Sequence, residues 1–173
     1  MNKCNSKKGI VLVEMLVASF VFTVVLTTLI VACNLYLSSA GASLKLVKSA
    51  YIAEEEIEAV KTIRDGGWSN IASLASSTAT TSQNYYLFFN ATTSLWQVTS
   101  STSSSSRAPE FYGDFDGSFT ISNVKRTSDS YHRISNGTIS DPNTKLLTAY
   151  VTWQFQGSTT TKSISTYIVN LSK

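Results

Sequence analysis

One carboxylate inside a long apolar run is the group in this chain whose chemistry most constrains its function. Glu14 is the only charged residue among residues 10–31. An ionisable group is costly inside a bilayer, and where one occurs it is usually paired and functional. A short head with three lysines precedes the run, and Gly9 separates the two. The sequence therefore predicts that Glu14 neutralises a positive group in apolar surroundings.

Residues 10–31 predict a helix that crosses a membrane once. A helix spans the hydrocarbon core of a bilayer with about 20 predominantly apolar residues. The run contains Ser19, Thr23, Thr27 and Thr28. Their hydroxyl groups can bond to their own helix or to neighbouring helices, so they are tolerated there. Because lysine-rich flanks stay cytoplasmic, we expect a cytoplasmic N-terminus and a C-terminal domain outside the cytoplasmic membrane.

Several processing routes suit such a head and run. An ordinary secretory signal could be cut at the small residues 40–42, but its apolar core is roughly 7–15 residues long, shorter than this run. A lipoprotein signal could end at Cys33, since Ile30-Val31-Ala32-Cys33 fits a lipobox. The chain could also stay uncut as a plain single-span anchor. Cleavage after Gly9 would leave the helix on the mature protein, and we favour this route.

The residues around Gly9 carry a family resemblance. Residues 7–18, Lys-Lys-Gly-Ile-Val-Leu-Val-Glu-Met-Leu-Val-Ala, resemble the prepilin signature of type IV pilins and type II secretion pseudopilins. The resemblance implies that a prepilin peptidase cuts between Gly9 and Ile10 and methylates the new amine of Ile10. It also implies assembly into a pilus or periplasmic filament. Major pilins often carry a kinking proline deeper in the run, near Val31 here, and its absence favours a minor pilin.

The resemblance also implies a set of partners. These are other pilin subunits, the prepilin peptidase, the inner-membrane assembly machinery, and membrane lipid before assembly. Residues 51–61 and 63–68 are similar to a segment of minor pilins, although this second likeness is less specific than the first. Nucleic acid is not indicated as a partner. The alternative is a surface-anchored binding protein, single-span or lipidated at Cys33, that does not polymerise.

The pairing of Ile10 with Glu14 can be argued from physical chemistry alone. Cleavage after Gly9 would place a positive amine on Ile10, one helical turn before Glu14. A buried charge that loses its partner costs about 3–5 kcal/mol. Between staggered helices, Glu14 of one subunit could neutralise the amine of the next. The pair would then set the register of subunit assembly.

The helical pattern resumes after the run, and four segments are predicted. These are a leader at 1–9, a transmembrane or filament-core helix at 10–37, an amphipathic continuation at 38–67, and an extracytoplasmic β-rich domain at 68–173. Within the continuation, one buried stripe is expected at Leu46, Ala50, Ala53, Ile57 and Val60. The acidic cluster between Glu54 and Glu58 is expected to be a solvated helix face. Gly66-Gly67 should end the helix.

Beyond Trp68 the pattern changes to strands. A hairpin is predicted at 85–89 and 95–98, a third strand at 119–124, and a final pair at 145–155 and 162–171. One face of this antiparallel sheet should pack on the helix stripe and the other should meet water. The predicted fold class is α+β, with a long N-terminal helix packed on a C-terminal antiparallel sheet.

The remaining polar motifs give no support for an enzyme, a cofactor or a metal. His132 is the only histidine, so a catalytic triad could draw on no other. Asp114-Phe115-Asp116-Gly117 lacks the further oxygen ligands of a calcium loop and is expected to be a turn. The net charge of +3 is accounted for by the lysines of the head. Cys4 and Cys33 flank the run, so no disulfide between them is expected.

Overall fold

The computed structural model describes residues 6–74, 83–90, 92–100, 113–128, 131–134 and 137–171. Helix α1 runs without interruption over Ser6–Asp65. No proline occurs in this stretch, and its hydroxyl side chains bond back to the preceding turn, as Thr23 Oγ1 does to the Ser19 carbonyl at 2.8 Å. The helix ends where Gly67, at φ +150°, donates its N–H to the Arg64 carbonyl. The predicted stop at Gly66-Gly67 is thus confirmed.

The chain divides into two compact units, Met1–Lys45 and Leu46–Lys173. In the first unit, every side chain from position 10 to position 37 is exposed. Most of them are Leu, Val, Ile, Phe or Ala, so this part of α1 has no packing partner within its own unit. An apolar helix surface of this kind needs a lipid or protein environment.

The described residues of the second unit form two antiparallel sheets. The larger has the order β3–β4–β5, with bounds Phe115–Arg126, Ile139–Phe155 and Ser158–Val169. The smaller pairs β1, Tyr86–Asn90, with β2, Leu95–Thr99. A bridge between Tyr85 and Phe119 joins the hairpin to β3. A single short helix turn, α2 at Ser69–Ala72, follows the end of α1.

The core of the second unit lies between the C-terminal part of α1 and the larger sheet. Side chains alternate along β4, with Leu147, Ala149, Val151 and Trp153 buried and their neighbours more exposed. They belong to one apolar cluster with residues from α1 and the other strands; its largest fully buried members include Phe119, Ile71 and Ile168. The predicted α+β class, a long N-terminal helix packed on an antiparallel sheet, is confirmed.

The buried face of α1 differs from the predicted stripe at its N-terminal end. Ala53, Ile57 and Val60 are buried as expected, whereas Leu46 and Ala50 are exposed. The core instead takes Ile52 and Ala59, together with the polar Ser49 and Glu56. The face that meets the sheet is therefore broader than a single line of residues at spacings of three and four.

The strands are also longer than predicted at several ends. β3 extends beyond the predicted 119–124 in both directions, and β4 begins six residues before the predicted 145. Serine, glycine and proline in the added segments hide the apolar alternation on which the prediction depended. The predicted turn at Asp114–Gly117 is wrong in part. The turn covers Gly113 and Asp114, and Phe115 already begins β3 as a buried residue.

Candidate functional site

The residues of the N-terminal signature lie on the exposed surface of α1. Gly9 and Ile10 belong to the helix, and the side chains of Ile10 and Glu14 are exposed. Four residues apart, they lie on the same side of the helix, since side chains at i and i+4 are neighbours. The full-length chain has no amine at Ile10, so the pairing of that amine with Glu14 stays a prediction. The geometry leaves the Glu14 carboxylate accessible to a group from outside the chain.

A second polar cluster, which the sequence did not single out, lies at one end of the larger sheet. Arg126 on β3 donates from Nε to Asp141 Oδ2 at 2.6 Å and from Nη1 to the His132 carbonyl at 2.9 Å. Its Nη2 donates to Thr144 Oγ1 at 3.3 Å. The guanidinium group of Arg126 therefore links the segment around His132 to both β3 and β4. His132 has its own backbone at φ +45°.

An irregularity in β4 creates this cluster. Asn123 pairs with Lys145, but the next residue of β3, Val124, pairs with Asp141. The extra residues of β4 include Pro142, which has no N–H to donate to a ladder and is confined to such irregular places. Asn143 turns back so that its N–H donates to Asp141 Oδ1 at 2.9 Å. The bulge thus brings the Asp141 carboxylate and Arg126 together at the end of the core, where Lys145 closes the regular ladder.

The surroundings of Asp141 favour its ionised form. Burial acts to raise the pKa of its carboxyl group. The hydrogen bonds from Arg126, Thr144 and the Asn143 backbone, with the charge of Arg126, act in the opposite direction and prevail. The pKa of Asp141 is therefore lowered below its ordinary value of 3.8. Both carboxylate oxygens accept hydrogen bonds, which holds the side chain in one orientation.

Lys145 is a buried lysine beside this carboxylate. Only 7% of it is exposed, and its Nζ donates to Asn123 Oδ1 at 2.6 Å. Burial lowers the pKa of its ammonium group, and the charge of Asp141 opposes that shift without cancelling it. The sequence prediction placed residue 145 at the start of a strand and gave it no chemical role.

Glu56 corrects the prediction that the acidic cluster of α1 is a solvated face. Glu54, Glu55 and Glu58 are exposed, but Glu56 is only 1% exposed. Its carboxyl group occupies the space beside Gly117 on β3, where any Cβ would overlap Oε1 well inside van der Waals contact. The sequence analysis missed this fit because it assigned Gly117 to a turn, whereas a glycine within a strand often marks a close approach of another group.

Among the residues that the structure describes, the other candidate motifs do not assemble into a site. Within the described ranges, no group of three or more His, Cys, Asp and Glu residues is arranged to hold a metal ion. His132 lies in an exposed segment, and Cys33 is an exposed thiol on α1. The serine-rich stretches at 76–82 and 99–106 fall largely outside the described residues.

No family model matches the chain, and neither a curated protein nor a solved structure matches it. Its class is defined by its own elements. It is an α+β protein with a long apolar N-terminal helix followed by antiparallel sheets. This helix is the one candidate membrane span within the described residues, judged by length and composition.

Proposed function

We propose that the protein is a minor type IV pilin or pseudopilin, a structural subunit processed after Gly9 and assembled into a cell-envelope filament. One observation carries the proposal. The combination of Gly9, Ile10 and Glu14 stands at the head of a helix whose apolar side chains are exposed from position 10 to position 37. The α+β fold that follows is the architecture that the resemblance implies.

The exposed apolar surface is what makes assembly the favoured role. Burial of apolar area contributes roughly 25 cal/mol for each Å² removed from water, and this surface is large. Before assembly, lipid covers it. Once a subunit leaves the bilayer for a filament, other helices must cover the same side chains. Packing between helices then supplies the stability of the polymer.

Glu14 supplies the register in this scheme. Apolar packing alone allows neighbouring helices to slide along each other, because hydrophobic burial is not directional. A carboxylate in apolar surroundings restricts this sliding, since it is stabilised only opposite a positive group. The methylated amine of Ile10 in a neighbouring subunit is the group that processing provides. The register contact therefore depends on the cleavage.

The test is the intact mass of the protein purified from cells with an active prepilin peptidase. The mature chain should lack residues 1–9 and carry one added methyl group, located on Ile10 by fragmentation. The variant Gly9→Val should retain the leader, because a bulky residue replaces the small one at the cleavage site. Gly41→Val, a matched change deeper in α1, should be processed normally.

Other masses would contradict the proposal in identifiable ways. A lipid on Cys33, with the preceding residues missing, would favour the lipidated binding protein. A chain that keeps its lysine-rich head in the presence of active peptidase would favour a plain anchor.

A further inference from the structure

Asn123 and Lys145 stand directly opposite each other in the β3–β4 ladder. Both positions lie on the face of the sheet that carries Ile121 and Leu147, because side chains alternate along a strand. Ile168 pairs with Lys145 from the other side, on β5, and is almost fully buried. A primary amine and a side-chain amide are therefore held side by side at the end of an apolar core.

We propose that these two side chains become joined by a covalent amide, an intramolecular crosslink between Lys145 Nζ and Asn123 Cγ. The hydrogen bond already places Nζ 2.6 Å from Oδ1. With a C=O bond of about 1.23 Å, this leaves Nζ about 3 to 4 Å from Cγ. That separation borders on the range from which a positioned nucleophile attacks a carbonyl carbon.

The reaction is balanced without any co-reactant. The ammonium group of Lys145 first loses a proton, and the neutral amine attacks Asn123 Cγ. The bond from Cγ to Nδ2 then breaks, and the nitrogen leaves as ammonia. One amine and one amide give a new amide and one ammonia, with no change of oxidation state.

The surroundings favour each step. Burial lowers the pKa of Lys145, which raises the fraction of neutral amine at a given pH. The charge of Asp141 acts on Lys145, and its carboxylate can accept the amine's proton through one water molecule and return it by the same route to the departing nitrogen. The hydrogen bond from Arg126 holds this carboxylate in place. Effective concentrations of positioned groups reach about 10⁵–10⁸ M, which can make an otherwise slow exchange between an amine and an amide observable.

The crosslink would join β3 to β4, which are neighbours in the sheet but lie apart in the sequence. It lies where the bulge of β4 interrupts the regular ladder, so it would replace lost backbone pairing with a covalent bond. A subunit exposed to mechanical load would gain resistance to the separation of β3 from β4. The crosslink lies within the second unit and does not depend on processing at Gly9.

Mass spectrometry of the full-length chain, purified in detergent, tests the proposal. Its intact mass should be lower than that expected from the sequence, after any N-terminal processing, by the mass of one ammonia. Trypsin should no longer cut after Lys145, since its amine is acylated. Peptide 108–125, which contains Asn123, should be recovered joined to peptide 134–162.

Four variants make the result specific. Lys145→Met and Asn123→Ala should each abolish the loss of ammonia, and Asp141→Asn should abolish it or slow it at least tenfold. Lys125→Met, which removes an exposed lysine nearby on β3, should leave it unchanged. Circular dichroism of every variant establishes that the sheet is intact.

A folded wild-type chain of full sequence mass, cut normally after Lys145, would overturn the proposal. Loss of ammonia that persists in Asn123→Ala would do the same, since the leaving nitrogen would then come from elsewhere. Unchanged crosslinking in folded Asp141→Asn would remove Asp141 from the mechanism.

Discussion

At the scale of single residues, Asp141 links the end of β3 to the bulged segment of β4. It accepts hydrogen bonds through both oxygens, from Arg126 on one side and from the Asn143 backbone on the other. Hydrogen bonds to a charged group stabilise a fold by about 1.5–3 kcal/mol. The ion pair is partly buried, so solvent screens it less than a surface pair.

The lowered pKa of Asp141 predicts how stability depends on pH. Because the folded-state pKa lies below the ordinary value of 3.8, the stabilisation is fully present above 3.8 and is lost as pH falls through the folded-state pKa. Asp141→Asn should lower the free energy of unfolding at neutral pH by about 1–3 kcal/mol. It should also remove this part of the acid dependence.

Urea unfolding at several pH values measures both effects. The comparison belongs in an Asn123→Ala background, so that no crosslink contributes. Asp114→Asn, at an exposed turn, is the control and should change little. If the free energy of unfolding falls equally in Asp141→Asn and in its parent below pH 3.8, Asp141 is not the titrating group.

Residue identity alone could not have located this cluster. Asn123, Arg126, Asp141 and Lys145 are separated along the chain, and each is an ordinary strand or turn residue by itself. Asn123 and Lys145 meet as partners in the ladder, and the bulge of β4 at Pro142 shifts the pairing so that Arg126 and Asp141 meet at the same end of the sheet. In contrast, Glu14 could be recognised from the sequence because its setting is local: one charge within an uninterrupted apolar run.

At the scale of elements, a large side chain on the helix packs against a glycine on the sheet. Glu56 projects from α1 into the place that Gly117 leaves open on β3. The sequence predicted that a helix stripe would meet a sheet face, and this is confirmed. It could not show that a carboxyl group is part of that stripe, because helical periodicity is read from apolar residues.

Gly117→Ala should destabilise the second unit by about 1–3 kcal/mol, the usual cost of overpacking a core. The added methyl group overlaps Glu56 Oε1, so one of the two elements must shift. In Glu56→Ala the space is vacated, and adding Gly117→Ala there should cost clearly less than it does in the wild type. Thermal unfolding of the four proteins in the cycle measures the difference.

Gly66→Ala is the control for this cycle, since a Cβ there meets its neighbours at ordinary contact distance. If Gly117→Ala lowers the stability equally with and without the Glu56 side chain, the proposed packing of Glu56 against Gly117 is refuted. The two residues would then contribute independently to stability.

At the scale of the whole molecule, the two units place opposite demands on their surroundings. Met1–Lys45 exposes apolar side chains, whereas Leu46–Lys173 encloses a core of its own. Hydropathy along the sequence was sufficient to predict this difference. The exact strand ends were not predictable, because serine and threonine are compatible with both loops and strands.

The proposed assembly predicts that Glu14→Ala inserts into the membrane as well as the wild type, since it removes a charge from the apolar run. Its incorporation into filaments should fall at least tenfold, because a register contact worth about 3–5 kcal/mol is lost. Immunoblotting of sheared filaments and of membranes measures the two fractions. Glu55→Ala, an exposed glutamate of the second unit, should incorporate normally. Equal incorporation of both variants would exclude the register role of Glu14.

The order of elements along the chain has a consequence for biosynthesis. α1 precedes β1 to β5 along the chain, so its apolar residues can partition into lipid before these strands have been translated. Ile57 and Val60 then stay uncovered until β4 and β5 supply Leu147 and Ile168, which belong to the same core cluster. Contacts so distant in sequence form slowly, and uncovered apolar surface promotes aggregation in the meantime. The interval between synthesis of α1 and completion of β5 is therefore the stage at which aggregation competes most with folding.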